Sequence, residues 1–420
     1  MIVTKGIEIR LYPNKKQANM INKNIGAALF AYNTMLSVKK ELYQKYGISF
    51  TPRWQLLKED YPWLAEVDSR ALSSAHQDIL TAYNNWFKSL KGKNKGNWGA
   101  PKFKKKSKSG SYKNTSMPTD PTRLFRDGKI FIPMLKLVNY RNNSFDLSKI
   151  KKIRNLTIKR TNTNKYFCSI CCDYEINEPE HTGECIGLDL GVKDLIITSN
   201  GQKFDNKKFL KPFEKKIKHL QRQFSKKKKG SKNREKARVK LAIAHEKLSN
   251  KRNNYLQQLT TKLVKENDII CIEDLNVKGM LKNHSQAKSI ADCSFSMIRN
   301  MLDYKCRWYN KKLVVIDRWY PSSQTCNCCG YKYDPMHYNN VKWNQGIRNW
   351  VCHSCNVHLD RDINAAKNIL NKGLQDLDNL LNLNRAGTAQ IQACGEDSSV
   401  SVMKHRSSMK QENHTSSVSD

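Results

Sequence analysis

Three acidic residues stand where acids are expensive. Asp189 closes the apolar run Ile186-Gly187-Leu188, and Glu273 closes Ile269-Ile270-Cys271-Ile272. Asp362 lies in the first turn of an expected helix whose next face is Ala365, Ala366 and Ile369. An ionised carboxylate at the end of a buried strand must be paired or must bind a metal. Three carboxylates from distant segments could converge on a pair of Mg²⁺ ions, because oxygen ligands suit that hard ion and it takes waters and substrate phosphate oxygens as its remaining ligands. Two such ions ~3.5–4 Å apart activate an attacking water and stabilise a leaving 3′ oxygen. Spacing alone leaves alternatives open. Asp362 could cap its helix, or Asp360 could take the cap and free Asp362 for a metal. Glu273 could pair with a lysine, and Asp274 beside it is an alternative ligand. Strand parity puts Ile270 and Ile272 on one face, Cys271 and Glu273 on the other.

The second chemical signature is sulfur. Cys326-Asn327-Cys328-Cys329 and Cys352-His353-Ser354-Cys355 are two Cys-x-x-Cys pairs separated by 22 residues. That spacing lets two tight turns each offer two thiolates to one zinc ion. The expected ligands are Cys326, Cys329, Cys352 and Cys355, with Cys328 as a competitor. Four thiolates leave no open coordination position, so this zinc is structural rather than catalytic. Cys168-Ser169-Ile170-Cys171 has the same spacing but falls in an expected strand, where residues three apart face opposite ways, so packing is its expected role. The chain holds 13 cysteines, an odd number in a chain too long to need disulfide staples, which fits a reducing compartment.

These residues need elements to position them. Ile7, Ile9 and Leu11 alternate as a half-buried strand that Pro13-Asn14 ends. Residues 15–90 carry helical spacing, broken by Pro52 and Pro62, and 91–111 form a basic loop. Strands are expected at Lys129–Ile132, Leu156–Lys159 and Tyr166–Ile176, so strands flank a helical insert, as in one small barrel interrupted by a helical domain. Cys185–Gly191 and Leu195–Thr198 read as a hairpin. Residues 203–252 read as two helices with Lys226–Lys229 at the tip. Asp268–Glu273 is a buried strand, 294–310 a helix, and Leu313–Ile316 a strand before the cysteine knuckles. Residues from about Glu396 lack periodicity and read as a disordered tail.

Charge narrows the partner. Among 420 residues, 75 Lys+Arg oppose 37 Asp+Glu, a formal net charge of +38. Such an excess repels itself unless a polyanion neutralises it. No apolar stretch approaches ~18 residues, so no membrane span is expected. Met1–Lys5 has no apolar leader, so a cytoplasmic protein is expected. Nucleic acid is the expected partner.

Taken in order, the motifs resemble a known family nearly end to end. Ile9-Arg10-Leu11-Tyr12-Pro13 with Gln17 is similar to the opening of TnpB proteins, which bacterial insertion sequences encode. Gly187-Leu188-Asp189-Leu190-Gly191-Val192-Lys193-Asp194, Ile272-Glu273-Asp274-Leu275 and Asp360-Arg361-Asp362-Ile363-Asn364-Ala365-Ala366 resemble the three RuvC motifs of that family. Arg318-Trp319-Tyr320-Pro321-Ser322-Ser323-Gln324-Thr325-Cys326 resembles the run into its zinc knuckle. Members are RNA-guided DNA endonucleases related to compact type V CRISPR effectors.

The resemblance implies an α/β multidomain chain with a ribonuclease-H-like (RuvC) nuclease domain at 181–320 and 359–385 and a zinc-ribbon insert at 321–358. It also implies a wedge β-barrel, OB-like, at 1–12 and 117–180, interrupted by a helical recognition domain at 13–116; residues 386–420 remain as tail. It assigns Asp189, Glu273 and Asp362 as ligands of two catalytic Mg²⁺ ions and selects Asp362 over Asp360. It implies one guide RNA per monomer, a double-stranded DNA target with a flanking motif, and cleavage by phosphodiester hydrolysis in the bacterial cytoplasm. One departure stands out: the segment His353–His358 lacks the glycine the family usually carries after the second knuckle. Tyr83, Trp86, Phe87 and Trp98 could stack on bases, although helical spacing of the first three favours a core role.

Overall fold

The protein is described by a computed structural model covering residues 1–92, 98–141, 145–177, 180–341, 343 and 346–393. It divides into two compact units, Met1–Glu178 with Pro212–Asn250, and Pro179–Lys211 with Lys251–Asp420.

In the first unit, β1 (Ile2–Tyr12) buries Ile7, Ile9 and Leu11 on one face, as the alternation requires. Asn14 then caps α1 (Lys15–Tyr46): it accepts from the Gln17 amide at 2.9 Å, while the Gln17 side chain accepts the Asn14 amide at 3.0 Å. A short α2 (Leu57–Asp60) leads to α3 (Ser69–Leu90), capped by Asp68. Strand β2 (Gly110–Asn114) and short helix α4 (Pro121–Leu124) follow. Then come β3 (Phe125–Arg126), β4 (Lys129–Ile132), β5 (Lys136–Arg141), β6 (Ile150–Arg160) and β7 (Tyr166–Glu175). The sheet order is β2-β6-β7-β1-β5-β4-β3, antiparallel at every pair. Its two end strands do not pair with each other among the described residues, so the expected closed barrel is an open half-barrel. The sheet also starts at Gly110 rather than Met117: β2 offers one apolar residue, Tyr112, to the core, and its register with β6 was invisible to periodicity. Helices α1 and α3 bury their own apolar faces against each other around Met35, Leu36, Leu72 and Ile79.

The two basic helices are α5 (Leu210–Ser225) and α6 (Lys232–Glu266), with the lysine-rich tip between them. Arg234 ties that tip by donating to the carbonyls of Phe224 at 3.2 Å and Lys227 at 2.7 Å.

The second unit holds β8 (Cys185–Asp189), β9 (Asp194–Thr198), β10 (Lys203–Asp205) and β11 (Ile269–Glu273). After α7 (Val277–Met280), α8 (Ala287–Cys293) and α9 (Phe295–Trp308) comes β12 (Lys312–Ile316). The order is β10-β9-β8-β11-β12, parallel across β8-β11-β12 and antiparallel across β8-β9-β10. Ile270 and Ile272 face a core shared with the later part of α6 and with α9, whereas Cys271 packs with Ile316 and Ile369. The expected parity of β11 therefore holds. A two-stranded ribbon, β13 (Asn349–Val351) and β14 (His358–Asp360), precedes α10 (Arg361–Ala393). This helix runs past residue 385, where the tail was expected to begin; residues 394–420, the rest of that expected tail, lie outside the described residues. Among the described residues no helix is long and apolar enough to cross a membrane.

Candidate metal centres

Parallel pairing of β8 with β11 sets Leu188 beside Ile272, so Asp189 and Glu273 leave the same end of neighbouring strands. Helix α10 brings the third acid by lying close on the sheet. A Cβ at Gly187 would stand 2.1 Å from the Ala366 carbonyl oxygen, and one at Gly373 would stand 2.4 Å from the Cys271 sulfur. Only glycine permits that approach. Asp189, Glu273 and Asp362 thus line one open cavity of 870 Å³.

Asp189 holds its proton above the ordinary carboxylate range. Asp189 is pushed up to about 7, first by burial and then by the negative charges of Glu273 and Asp362. Burial also raises Glu273, opposed by the Ser322 hydroxyl, which donates to its Oε1. Asp362 is buried; Arg361 donates to its Oδ1 at 2.9 and 2.7 Å and Arg348 to its Oδ2 at 2.9 Å. Asp360 has the capping role instead: its Oδ1 accepts from the amides of Asp362 at 2.9 Å and Ile363 at 3.1 Å, and Lys203 pairs with its Oδ2 at 2.7 Å. Asp274 is ion-paired to both Arg299 and Arg318. Close opposition of three acidic groups in a low-dielectric site is what a divalent cation relieves, so the donor set fits Mg²⁺.

Five cations, Lys193, Lys208, Arg318, Arg348 and Arg361, line the same cavity. Sequence reasoning quoted three of them only as motif neighbours and missed Lys208 and Arg348. A charged residue beside a motif acid is the one available signal, and it reaches Arg361 but not Arg348, which meets Asp362 only through the fold.

The sulfur site is built by two turns of one design. Cys326, Cys329, Cys352 and Cys355 place their Sγ atoms within 4.8 Å of one another. The pairs Cys326–Cys355 and Cys329–Cys352 stand at 3.7 and 3.5 Å, close to the roughly 3.8 Å edge of a tetrahedron with ~2.3 Å zinc–sulfur bonds. The set fits a structural zinc. Cys328 is exposed and outside the cluster, its thiol directed to Asn327. In each knuckle the amide after the second cysteine returns to the first cysteine's carbonyl: Gly330 to Cys326 at 3.0 Å, Asn356 to Cys352 at 2.8 Å. Gly330 has φ +77° and Asn356 φ +57°. Asparagine tolerates this left-handed conformation better than other side chains, so it fills the position where the family glycine is missing. Cys168 is buried and Cys171 half-buried on alternate sides of β7, and among the described residues neither belongs to a group of metal-ligating side chains.

Helix α10 joins the two centres. The Asn368 side chain donates to the carbonyls of Ser322 at 2.8 Å and Thr325 at 2.6 Å. Asn364 donates to Thr325 at 2.7 Å and accepts from the Asn327 amide at 2.9 Å. The segment that carries Ser322 to Glu273 and Cys326 to the cluster is therefore fixed to the helix that carries Asp362.

Residues 169–284 match the family described as "Probable transposase", OrfB of IS605 elements. Residues 295–369 match a Cas12f1-like TNB domain. Residues 1–47 match a helix-turn-helix domain of OrfB, although here that span is one strand and one unbroken helix. A candidate RNA-guided DNA endonuclease of Streptomyces pristinaespiralis is 32% identical over 89% of this chain and 90% of its own length. InsQ of Escherichia coli K12, also named as a candidate RNA-guided DNA endonuclease, is 27% identical over 88% of this chain and 92% of its own. Among solved structures, Cas12f1 in complex with sgRNA and target DNA aligns over 88% of this chain and 98% of its own, with TM-score 0.50 at 14% identity, a likeness of fold.

Proposed function

The chain belongs to the TnpB (IS605 OrfB) family, and from that premise we propose that it is an RNA-guided DNA endonuclease hydrolysing phosphodiesters beside a short flanking motif. The observation that carries the chemistry is one cavity lined by Asp189, Glu273 and Asp362, with Asp189 pushed up to about 7 first by burial and then by the charges of the other two. The strand order of the second unit, third-second-first-fourth-fifth with an acid at the end of the first and fourth strands, supports a ribonuclease-H-like (RuvC) domain.

Asp189, Glu273 and Asp362 would hold Mg²⁺. Bound there, two ions supply Lewis acidity to the scissile phosphodiester and the attacking water. The chain's own residues do the rest. Ser322 fixes the Glu273 carboxyl by its hydrogen bond, which leaves the second oxygen of that group for the cavity. Arg348 and Arg361 neutralise Asp362 in the free protein and stand ready to take phosphate oxygens as substrate enters. Lys193 and Lys208 add charge at the rim, where a DNA backbone must pass.

The guide RNA pairs with one target strand, so the protein's own reading is confined to the flanking motif and the backbone of the heteroduplex. One chain per guide RNA and a double-stranded target are the proposed assembly. The test is to purify the protein with the RNA it retains, sequence that RNA, and offer a supercoiled library with randomised flanks. Cleavage next to one flank and only opposite the guide's complement supports the reading. Cleavage unchanged after ribonuclease treatment refutes guidance.

A further inference from the structure

We propose that the helical part of the first unit carries a base-stacking platform for unpaired nucleotides of the guide RNA, formed by the end of α3, residues 98–103 and the adjacent turn of α1. The choice of guide RNA rests on the function proposed above; the stacking chemistry does not. Tyr83, Trp86 and Phe87 form a continuous ring cluster, with centroids 6.0 Å apart for Tyr83–Trp86, 5.9 Å for Tyr83–Phe87 and 5.2 Å for the stacked Trp86–Phe87. Helical spacing favours a core role for all three. Only Tyr83 packs on the helical core; Trp86 is half-buried, Phe87 is 43% exposed and Leu90, one turn on, is 68% exposed.

Residues 98–103 bring two more rings. The Trp98 amide donates to the Ser89 hydroxyl at 3.1 Å, which sets this 53% exposed indole beside the last turn of α3. Asn33 of α1 grips the backbone of Lys104 from both sides, donating to its carbonyl and accepting from its amide, each at 2.9 Å. That grip presents Phe103, 51% exposed, with Lys40 over its ring at 4.8 Å. Lys39, the preceding residue, lies over Tyr83 at 4.8 Å. Both ring groups therefore flank a single turn of α1.

A solvated lysine loop has no reason to be docked in this way or to expose four large apolar side chains. Between Trp86 and Lys106 the sequence has eight lysines and no Asp or Glu. Lys104 pairs with Asp78 at 2.8 Å across the surface and lies over Tyr32 at 4.0 Å. Aromatic faces stack on any base, and surrounding ammonium groups take the phosphates between the bases. A guide that stays bound suits the site better than a DNA strand that comes and goes, because a chain carrying +38 needs a resident polyanion.

The test uses the full chain co-purified with its RNA. Trp86→Ala/Phe87→Ala should release the RNA about tenfold faster or more, and the defect should persist as salt is raised, because stacking is not screened. Trp86→Phe/Phe87→Tyr, which keeps the rings, should restore retention. Lys102→Ala/Lys105→Ala/Lys106→Ala should show a loss that shrinks at high salt. RNA carrying 5-iodouridine at unpaired positions should photocrosslink within residues 83–103. Equal retention by the Ala variant, a defect that vanishes at high salt, or crosslinks found only outside residues 83–103 would overturn the platform. Wild-type protein that carries no RNA would instead overturn the guided reading on which the ligand rests.

Discussion

A carboxyl group held near neutrality is a poor ligand until its proton leaves, and that sets the pH behaviour of the acid site. Asp189 is raised to about 7 in the folded chain, from an ordinary value near 4 that it regains on unfolding. Between about pH 4 and pH 7 the unfolded chain has lost this proton while the folded chain keeps it. Metal-free stability therefore falls as pH rises through that window and levels off above it. Asp189→Asn should remove most of the fall and melt higher than wild type in Mg²⁺-free buffer at about pH 8. Mg²⁺ should raise the wild-type melting temperature more at pH 8 than at pH 5.5, and the variant's little at either; an identical response in the two proteins contradicts the assignment. At the second knuckle, Asn356→Gly should be neutral, whereas Asn356→Val should cost about 1–2 kcal/mol in unfolding free energy, because a β-branched residue resists φ near +57°. The three acids of the cavity and the knuckle spacing were plain in the sequence. Their neighbours were not: Arg348 reaches Asp362 from 14 residues away along the chain, a partnership that no local pattern announces.

Strands β8 and β11 were legible because each is an apolar run closed by an acid, and α10 because its apolar residues keep helical spacing. Strands β2, β5 and β10 were not, since each offers few apolar residues and owes its place to register with a neighbour. The barrel was anticipated from strands on both sides of a helical insert, and that pattern does not determine whether a sheet closes. What the sequence hid most completely is the bracing by α10. Gly187→Ala should push the helix off β8, with loss of about 1–3 kcal/mol in stability and of cleavage, while bound RNA is retained. Asn368→Ala removes the donor to the Ser322 carbonyl, whereas Thr325 keeps its bond from Asn364; the loss should be about 1–2 kcal/mol, and it should slow cleavage at saturating target without changing zinc content. An unchanged cleavage rate would show that the link between Ser322 and Glu273 has no part in the chemistry.

For the whole chain, +38 begins as an argument for a polyanion and ends with an address. Part of it lies in residues 98–106 and part along α5 and α6, while Asp189 and Glu273, half-buried, and Asp362, buried, share one cavity. Binding of RNA and DNA should weaken steeply with salt, by about 10³-fold or more between ~50 and ~200 mM, as counterions return to the phosphates. A shallow salt dependence would mean that these lysines face something other than a backbone. The central claim is that Asp189, Glu273 and Asp362 make the cut. It is tested most directly by comparing wild type with Asp189→Ala, both loaded with RNA, on supercoiled target plasmid in Mg²⁺. The account predicts that both bind the target and that only wild type converts it to cut product. Equal cutting by Asp189→Ala would contradict it.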